Sequence, residues 1–310
     1  MKISSRHYQG LNDQSAMIDL ARQSWADTLH VIDLPYRLSS WALDDPENIS
    51  LWVDETGRLA AWAVMQSPFW TVDIVIRPAL ESELLPQVLD WVDQRALEMI
   101  DTPYGHPSWF VNLIADQVSH RQVLEHHGFS SQSDIGEDSW SQVWMELKEN
   151  SSIPKDPLPV GYRLRSLAGA SEIPAYVDLH QSVFETKNMT PEWRLRTLQQ
   201  PGYNPELDVV IASPAGNLVA FCIGWLAQNA TGKLHGQIEP LGCRSEFRKL
   251  GLGKQVLCET IRSLRLNGAQ SIFVETDNYR DAAFHLYESV GFRVVREVLV
   301  YGKDYNGDVS

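Results

Sequence analysis

The chain has 310 residues, 44% of them apolar and 21% charged, an ordinary globular balance that suits one large domain or two of average size. Its formal charge of −14 argues against a nucleic-acid partner, which needs a field of the opposite sign. No apolar stretch is membrane-span length, Met1–Gly10 lacks a leader's apolar core, and Cys222, Cys243 and Cys258 show neither disulfide nor metal-ligand spacing. The expectation is a reduced, metal-free, cytoplasmic protein away from membranes.

In chain order, Leu51–Val53 reads as a short strand, Asp54–Gly57 as a turn and Leu59–Met65 as a second strand. A helix follows around Glu83–Arg95, with acids at its start and Pro86 placed in its first turn, a position that suits proline. Phe110-Val111-Asn112 is strand-like, and Leu124-Glu125-His126-His127-Gly128-Phe129 closes the first half. Between Lys148 and Gly161 lie Pro154, Pro157 and Pro159, which neither a helix nor a central strand accommodates. This linker divides the chain into 1–150 and 160–310.

The second half opens with a strand at Tyr162–Leu167 and a helix at Ala170–Phe184. A short helix begins with Thr190 as N-cap and Pro191 as its first residue, running to Gln199 before Pro201 and Gly202 stop it. Strands follow at Val209–Ala212, Leu218–Trp225 and Lys233–Cys243, the last placing His235, Gln237 and Glu239 on one face. Pro240 removes a ladder donor from that strand, so it belongs at an edge or a bulge, where the sheet opens and leaves backbone groups for a ligand. After the glycine-containing loop, Leu252, Val256, Leu257, Thr260, Ile261 and Leu264 form a helical stripe ended by Gly268. Ser271–Glu275 is a buried strand, and Asp281–Ser289 a short helix with Ala283, Leu286, Tyr287 and Val290 on one face. That order implies a mixed sheet with helices on both sides.

The two halves resemble each other. Gly57-Arg58-Leu59-Ala60-Ala61-Trp62 aligns with Gly216-Asn217-Leu218-Val219-Ala220-Phe221, and the windows Phe110–Phe129 and Phe273–Phe292 each run twenty residues without a gap. Matched windows in the same order indicate a duplicated domain. The copies differ where it matters: no glycine lies between Gly57 and Gly105, whereas Arg248-Lys249-Leu250-Gly251-Leu252-Gly253 precedes a helix in the second half. Glycines there let successive N–H groups converge on one anion, and the helix adds its unpaired amides and dipole. A phosphate or pyrophosphate is the natural occupant. The nucleotide-kinase loop fits weakly because Gly253-Lys254 is followed by Gln255, and the dinucleotide fingerprint fits weakly because Val256 stands where its third glycine belongs.

Arg248-x-x-Gly251-x-Gly253, together with Ala282-Ala283-Phe284-His285-Leu286-Tyr287-Glu288-Ser289-Val290-Gly291-Phe292, resembles the GNAT superfamily of N-acetyltransferases over about residues 160–302. The resemblance implies two tandem GNAT-like domains of α/β (α+β) class, each a mostly antiparallel sheet with a splayed central strand pair, the first a degenerate copy with a structural or substrate-gating role. It implies acetyl-CoA as donor, its pantetheine arm along Leu241, Gly242 and Cys243 and its pyrophosphate on Arg248, Lys249, Leu250, Gly251, Leu252, Gly253 and Lys254. Asn278 is the candidate for a further cofactor contact; it stands two residues before Arg280, the position where many relatives carry asparagine. The expected acceptor is a primary amine of a small molecule or an amino terminus, the alternative function being a non-catalytic acyl-CoA-binding or regulatory module. Tyr287 is the candidate acid, and Glu239 the candidate base ahead of His235 and Glu275. Leu124, at the position of Tyr287, marks the first half as inactive. Acceptor selection falls to His180–Tyr203 and Val298–Tyr305, with Trp193, Tyr203 and Tyr301 as candidate lining.

Overall fold

A computed structural model describes residues 2–133, 140–277 and 282–305. Its strands are β1 (Ile3–His7), β2 (Ile49–Asp54), β3 (Leu59–Gln66), β4 (Thr71–Ile76), β5 (Ser108–Ile114), β6 (Ser130–Ser131), β7 (Ser141–Lys148), β8 (Arg163–Ser166), β9 (Asp208–Ala212), β10 (Leu218–Gln228), β11 (Leu234–Cys243), β12 (Ser271–Asp277) and β13 (Arg293–Asp304). Its helices are α1 (Leu11–Gln23), α2 (Leu34–Arg37), α3 (Glu81–Met99), α4 (Val118–His126), α5 (Ile173–Phe184), α6 (Pro191–Gln199), α7 (Leu252–Leu266) and α8 (Ala282–Ser289). Among the described residues no helix is long and apolar enough to cross a membrane.

Two compact units form: Met1–Val31 with Ser40–Gln142 and Arg296–Ser310, and Ile32–Ser39 with Val143–Val295. Strand order in the first is β1-β2-β3-β4-β5-β13 and in the second β8-β9-β10-β11-β12-β7, the same plan twice. Among the described registers, β4 with β5 in the first unit and β11 with β12 in the second are parallel, and the others are antiparallel. The compact units therefore depart from the expected 1–150 and 160–310 division. From Val298 on, β13 pairs with β5 in the first unit (Val298↔Ile114 to Asp304↔Ser108). From Val143 on, β7 belongs to the second unit, next to β12, where the Ser271 hydroxyl donates to Glu146 at 2.6 Å. A linker's composition says where the chain is irregular, but a strand goes to whichever open edge matches its apolar face. Val143, Met145 and Leu147 are almost fully buried in the second unit's core, and Tyr301 and Tyr305 lie in that of the first.

In the first unit, α3 buries Leu84, Leu85, Val88, Leu89, Val92, Ala96 and Met99. It starts at Glu81, earlier than expected, so Pro86 sits in its second turn rather than its first. The long apolar stripe outweighs the one backbone bond that proline removes. In the second unit, α6 begins as expected: the Thr190 hydroxyl accepts from the Trp193 N–H at 3.1 Å, with Pro191 at the first helical position. Helix α7 lies against β10, where a Cβ on Gly224 would come within 3.0 Å of Leu264 and Thr260. Helix α5 covers the other face, and a Cβ on Gly242 would approach Val183 to 2.6 Å and Phe221 to 2.7 Å.

Candidate active site

Strand β11 is paired unequally on its two sides. It stays with β10 to Ala220↔Cys243, but its parallel register with β12 covers only His235↔Ser271, Gly236↔Ile272 and Gln237↔Phe273. Ile238–Cys243 therefore runs beyond the registered β12 pairing, and a seam opens. The β10 register jumps from Cys222↔Leu241 to Gly224↔Ile238, so Glu239 and Pro240 face one residue, Ile223. This is the bulge expected at Pro240, because a residue without an N–H cannot continue the ladder. The Glu239–Pro240 peptide is cis. The bulge turns the Glu239 carbonyl to the Trp225 indole N–H, which donates to it at 2.7 Å.

The glycine loop returns to the end of this seam. Lys249 and Gly251 both take left-handed backbone angles (φ 64° and 78°), and Gly251 is the N-cap of α7. The first α7 bond runs from the Gln255 N–H to the Gly251 carbonyl at 3.0 Å, so the N–H groups of Leu252, Gly253 and Lys254 have no acceptor within the helix. A Cβ on Gly251 would meet nothing within 4 Å, and one on Gly253 only Leu286 at an ordinary 3.7 Å. Gly251 is needed for its backbone angle, while no neighbour in the fold requires Gly253 to be bare. The nearby cationic side chains are partly engaged: Lys254 Nζ is 2.9 Å from Asp156, and Arg248 Nε donates to the Cys243 carbonyl at 3.4 Å. Main-chain amides and open space fit a pyrophosphate better than these side chains do.

On the α5 and α6 side of β10 lies a buried polar group that the sequence reading missed. Arg194 on α6 donates to Asp208 on β9, both fully buried. Tyr203 donates to the same carboxylate oxygen at 2.7 Å, and the guanidinium lies 3.8 Å above the Tyr176 ring. Arg194 Nε and Nη1, Asp208 Oδ1 and the Tyr176 hydroxyl have no hydrogen-bond partner among the described residues. Burial raises the pKa of both Tyr176 and Tyr203, keeping the phenols neutral. The available signal was positional, since Arg194 sits between Trp193 and Thr197 on the buried side of α6.

His180 on α5 belongs to the same face. Burial, then the Arg194 charge, push its pKa from 6.5 down to about 3. Between those values the unfolded chain binds a proton that the folded one refuses, so stability falls as pH drops below 6.5. The slope reaches about 1.4 kcal/mol per pH unit. Urea unfolding of wild type and His180→Phe between pH 7 and 4 should show a shallower loss in the variant. Equal slopes would place the acid sensitivity elsewhere.

Residues 173–292 match the model of the acetyltransferase (GNAT) family. They form a GNAT acetyltransferase domain. A mycothiol acetyltransferase of Thermobispora bispora is 30% identical over 160 residues, 48% of this chain and 53% of that protein. One of Streptomyces bingchenggensis is 24% identical over 232 residues, 68% of this chain and 73% of the relative. The chain thus spans about half the length of the first of these relatives. Among solved structures, a tandem GNAT protein from the clavulanic acid biosynthesis pathway superposes with a TM-score of 0.63 at 12% identity, covering 98% of both chains. A GCN5-related N-acetyltransferase from Sphaerobacter thermophilus gives 0.61 at 18% identity, covering 97% of this chain and 95% of that one. At such identities these likenesses establish the fold.

Within the GNAT domain, Leu241 and Cys243 are half-buried along the seam and Gly242 is buried against α5. Burial pushes the Cys243 thiol up, against the pull of Arg248 and the Gly253 N–H, so it is no ready nucleophile. Arg248, Lys249, Leu250 and Gly251 are exposed, whereas the Leu252 side chain is core, leaving only its amide for a ligand. Glu239 is half-buried at the bulge, and Tyr287 on α8 is 6% exposed, its ring 5.6 Å from that of Phe292. Asn278 and Arg280 lie outside the described residues. Of the candidate lining residues, Trp193 and Tyr203 join the α6 face, but Tyr301 does not. It belongs to the first unit, where its hydroxyl donates to Glu125 at 2.9 Å and its pKa is pushed up to about 12, chiefly by burial.

Proposed function

We propose that the protein transfers the acetyl group of acetyl-CoA to a primary amine of a small molecule or an amino terminus, with the second unit as the catalytic one. The observation that carries this reading is the meeting of two features at Cys243: β11 leaves β12 after Gln237, and the left-handed loop of Lys249 and Gly251 closes on the same strand end. Acetyl-CoA supplies a thioester as acyl donor. The freed edge of β11 at Leu241–Cys243 pairs with the pantetheine amides, and the N–H groups from Lys249 to Lys254 hold the pyrophosphate, with Arg248 alongside and Asn278 as a further contact.

An alkylammonium has a pKa near 10.4, so at pH 7 only roughly one molecule in 2,500 is a free nucleophile. Glu239 removes that proton, directly or through water. The amine nitrogen then bonds the acetyl carbon, the carbon–sulfur bond breaks, and the Tyr287 hydroxyl protonates the departing thiolate; the nitrogen's second proton passes through water to restore the Tyr287 hydroxyl, and Glu239 gives its proton to solvent. The first unit carries Leu124 at the position of Tyr287, buried at 0% exposure, which supports a structural or substrate-gating role for it.

Thiol release from acetyl-CoA across an amine panel tests the reading, and the panel includes the acceptor of the mycothiol acetyltransferase reaction. Coenzyme A binding without release on any amine would make the domain a binding module instead. Gly251→Val forces a β-branched side chain into the left-handed region at a cost of about 1–2 kcal/mol. It should weaken acetyl-CoA binding tenfold or more by calorimetry. Lys254→Ala should change it less than threefold, because that side chain is paired with Asp156. The opposite ranking would move the phosphate contact from main chain to side chain.

A further inference from the structure

Ile32–Ser39 precedes the linker by more than a hundred residues, yet it packs as part of the catalytic unit. Its attachment is specific. The Trp193 indole N–H donates to the Ser39 hydroxyl at 3.1 Å, that hydroxyl is 2.9 Å from the Thr197 hydroxyl, and Arg196 Nε donates to the Ser39 carbonyl at 2.9 Å. Pro35 lies against Gly202, where a Cβ would approach its ring to 3.2 Å. The one-turn helix α2 so anchored places the Tyr36 ring 5.4 Å from Trp193 and 6.2 Å from Trp225. Trp225 is the residue whose N–H holds the Glu239 carbonyl at the bulge.

We propose that Tyr36 is a positioning residue for Glu239: its ring fixes Trp225, and its hydroxyl steadies the Glu239 carboxylate on the acceptor side of the seam. Tyr36 is 2% exposed, so it acts through Glu239 rather than on the acceptor itself. Burial raises its pKa well above the usual phenol value, with Tyr176 and Glu239 adding to the rise and Arg194 and Arg37 opposing it. At working pH the phenol is therefore a neutral donor, which favours a carboxylate over a carboxylic acid. The Glu239 charge is also felt by Tyr176 on α5 and Cys222 on β10, both kept neutral by burial. Tyr36 stands one ring from Glu239, through Trp225, and its hydroxyl can be removed without changing the local charge.

This role rests on the proposed acetyl transfer. Tyr36→Phe keeps the ring and removes the hydroxyl. It should lower kcat about tenfold, the worth of one hydrogen bond to a charged group. The acid limb of kcat/KM for the amine should move to higher pH, with the KM for acetyl-CoA unchanged. Ser39→Ala, which releases the turn from Trp193, should move the limb in the same direction by less. Profiles superimposable on wild type for both variants would overturn the proposal. If wild type releases no thiol with any amine, acetyl transfer itself has failed, and the Tyr36 contact is then read without turnover. The Glu239 side-chain carbon, identified by its loss in Glu239→Gln, is titrated by NMR in labelled wild type and Tyr36→Phe. A midpoint displaced upward in the variant supports the contact, and an unmoved one overturns it.

Discussion

Tyr287→Phe is expected to lower kcat by about two to four orders of magnitude, the usual loss when a positioned acid is removed. Acetyl-CoA affinity and the unfolding midpoint should stay at wild-type values. The packing argument makes this substitution clean. Phenylalanine retains the ring that meets Phe292 at 5.6 Å within the second unit's core, so only the hydroxyl is lost. Rapid-quench measurement of thiol release under single-turnover conditions isolates the chemical step. A fall of less than about threefold would reduce Tyr287 to the packing role that Leu124 fills in the first unit, and the departing thiolate would then need no acid from the protein.

The largest stability effect should come from Arg194 and Asp208. Both are fully buried and joined to each other, so Arg194→Met or Asp208→Leu strands one polar partner in the core. Each is expected to cost about 3–5 kcal/mol, because the remaining group keeps its desolvation penalty and loses its counter-charge. Arg194→Met combined with Asp208→Leu should cost clearly less than the sum, since the double variant leaves neither charge behind. Urea unfolding followed by tryptophan fluorescence reads this directly, with Trp193 adjacent to Arg194 in the chain. Strict additivity would mean that the two residues do not act as a pair.

Several features of the second unit were legible because their causes are local. Gly251 at the start of α7, Thr190 and Pro191 at the start of α6, and Pro240 at the bulge each follow from constraints spanning a few residues: a left-handed angle, an unpaired amide, a missing N–H. The matched windows also announced a repeated plan, and both units have the same strand order. Pro86 misled because α3 was anchored on its acids, while the buried stripe decides where that helix begins.

What the tertiary structure alone decided is pairing at a distance. Nothing within β13 states that its later residues lie beside β5, nor within β7 that it lies beside β12. Tyr301, placed by sequence at the acceptor, therefore lies in the first unit, and Tyr36, unremarked in the sequence, packs on Trp225. Arg194 and Asp208 find each other across a helix and a strand. The amino-acid order by itself determined where the backbone turns, caps and bulges, because those forces act between near neighbours. Which strand completes which sheet, and which aromatic reaches Glu239, depends on apolar faces and open edges that exist only once the chain has collapsed.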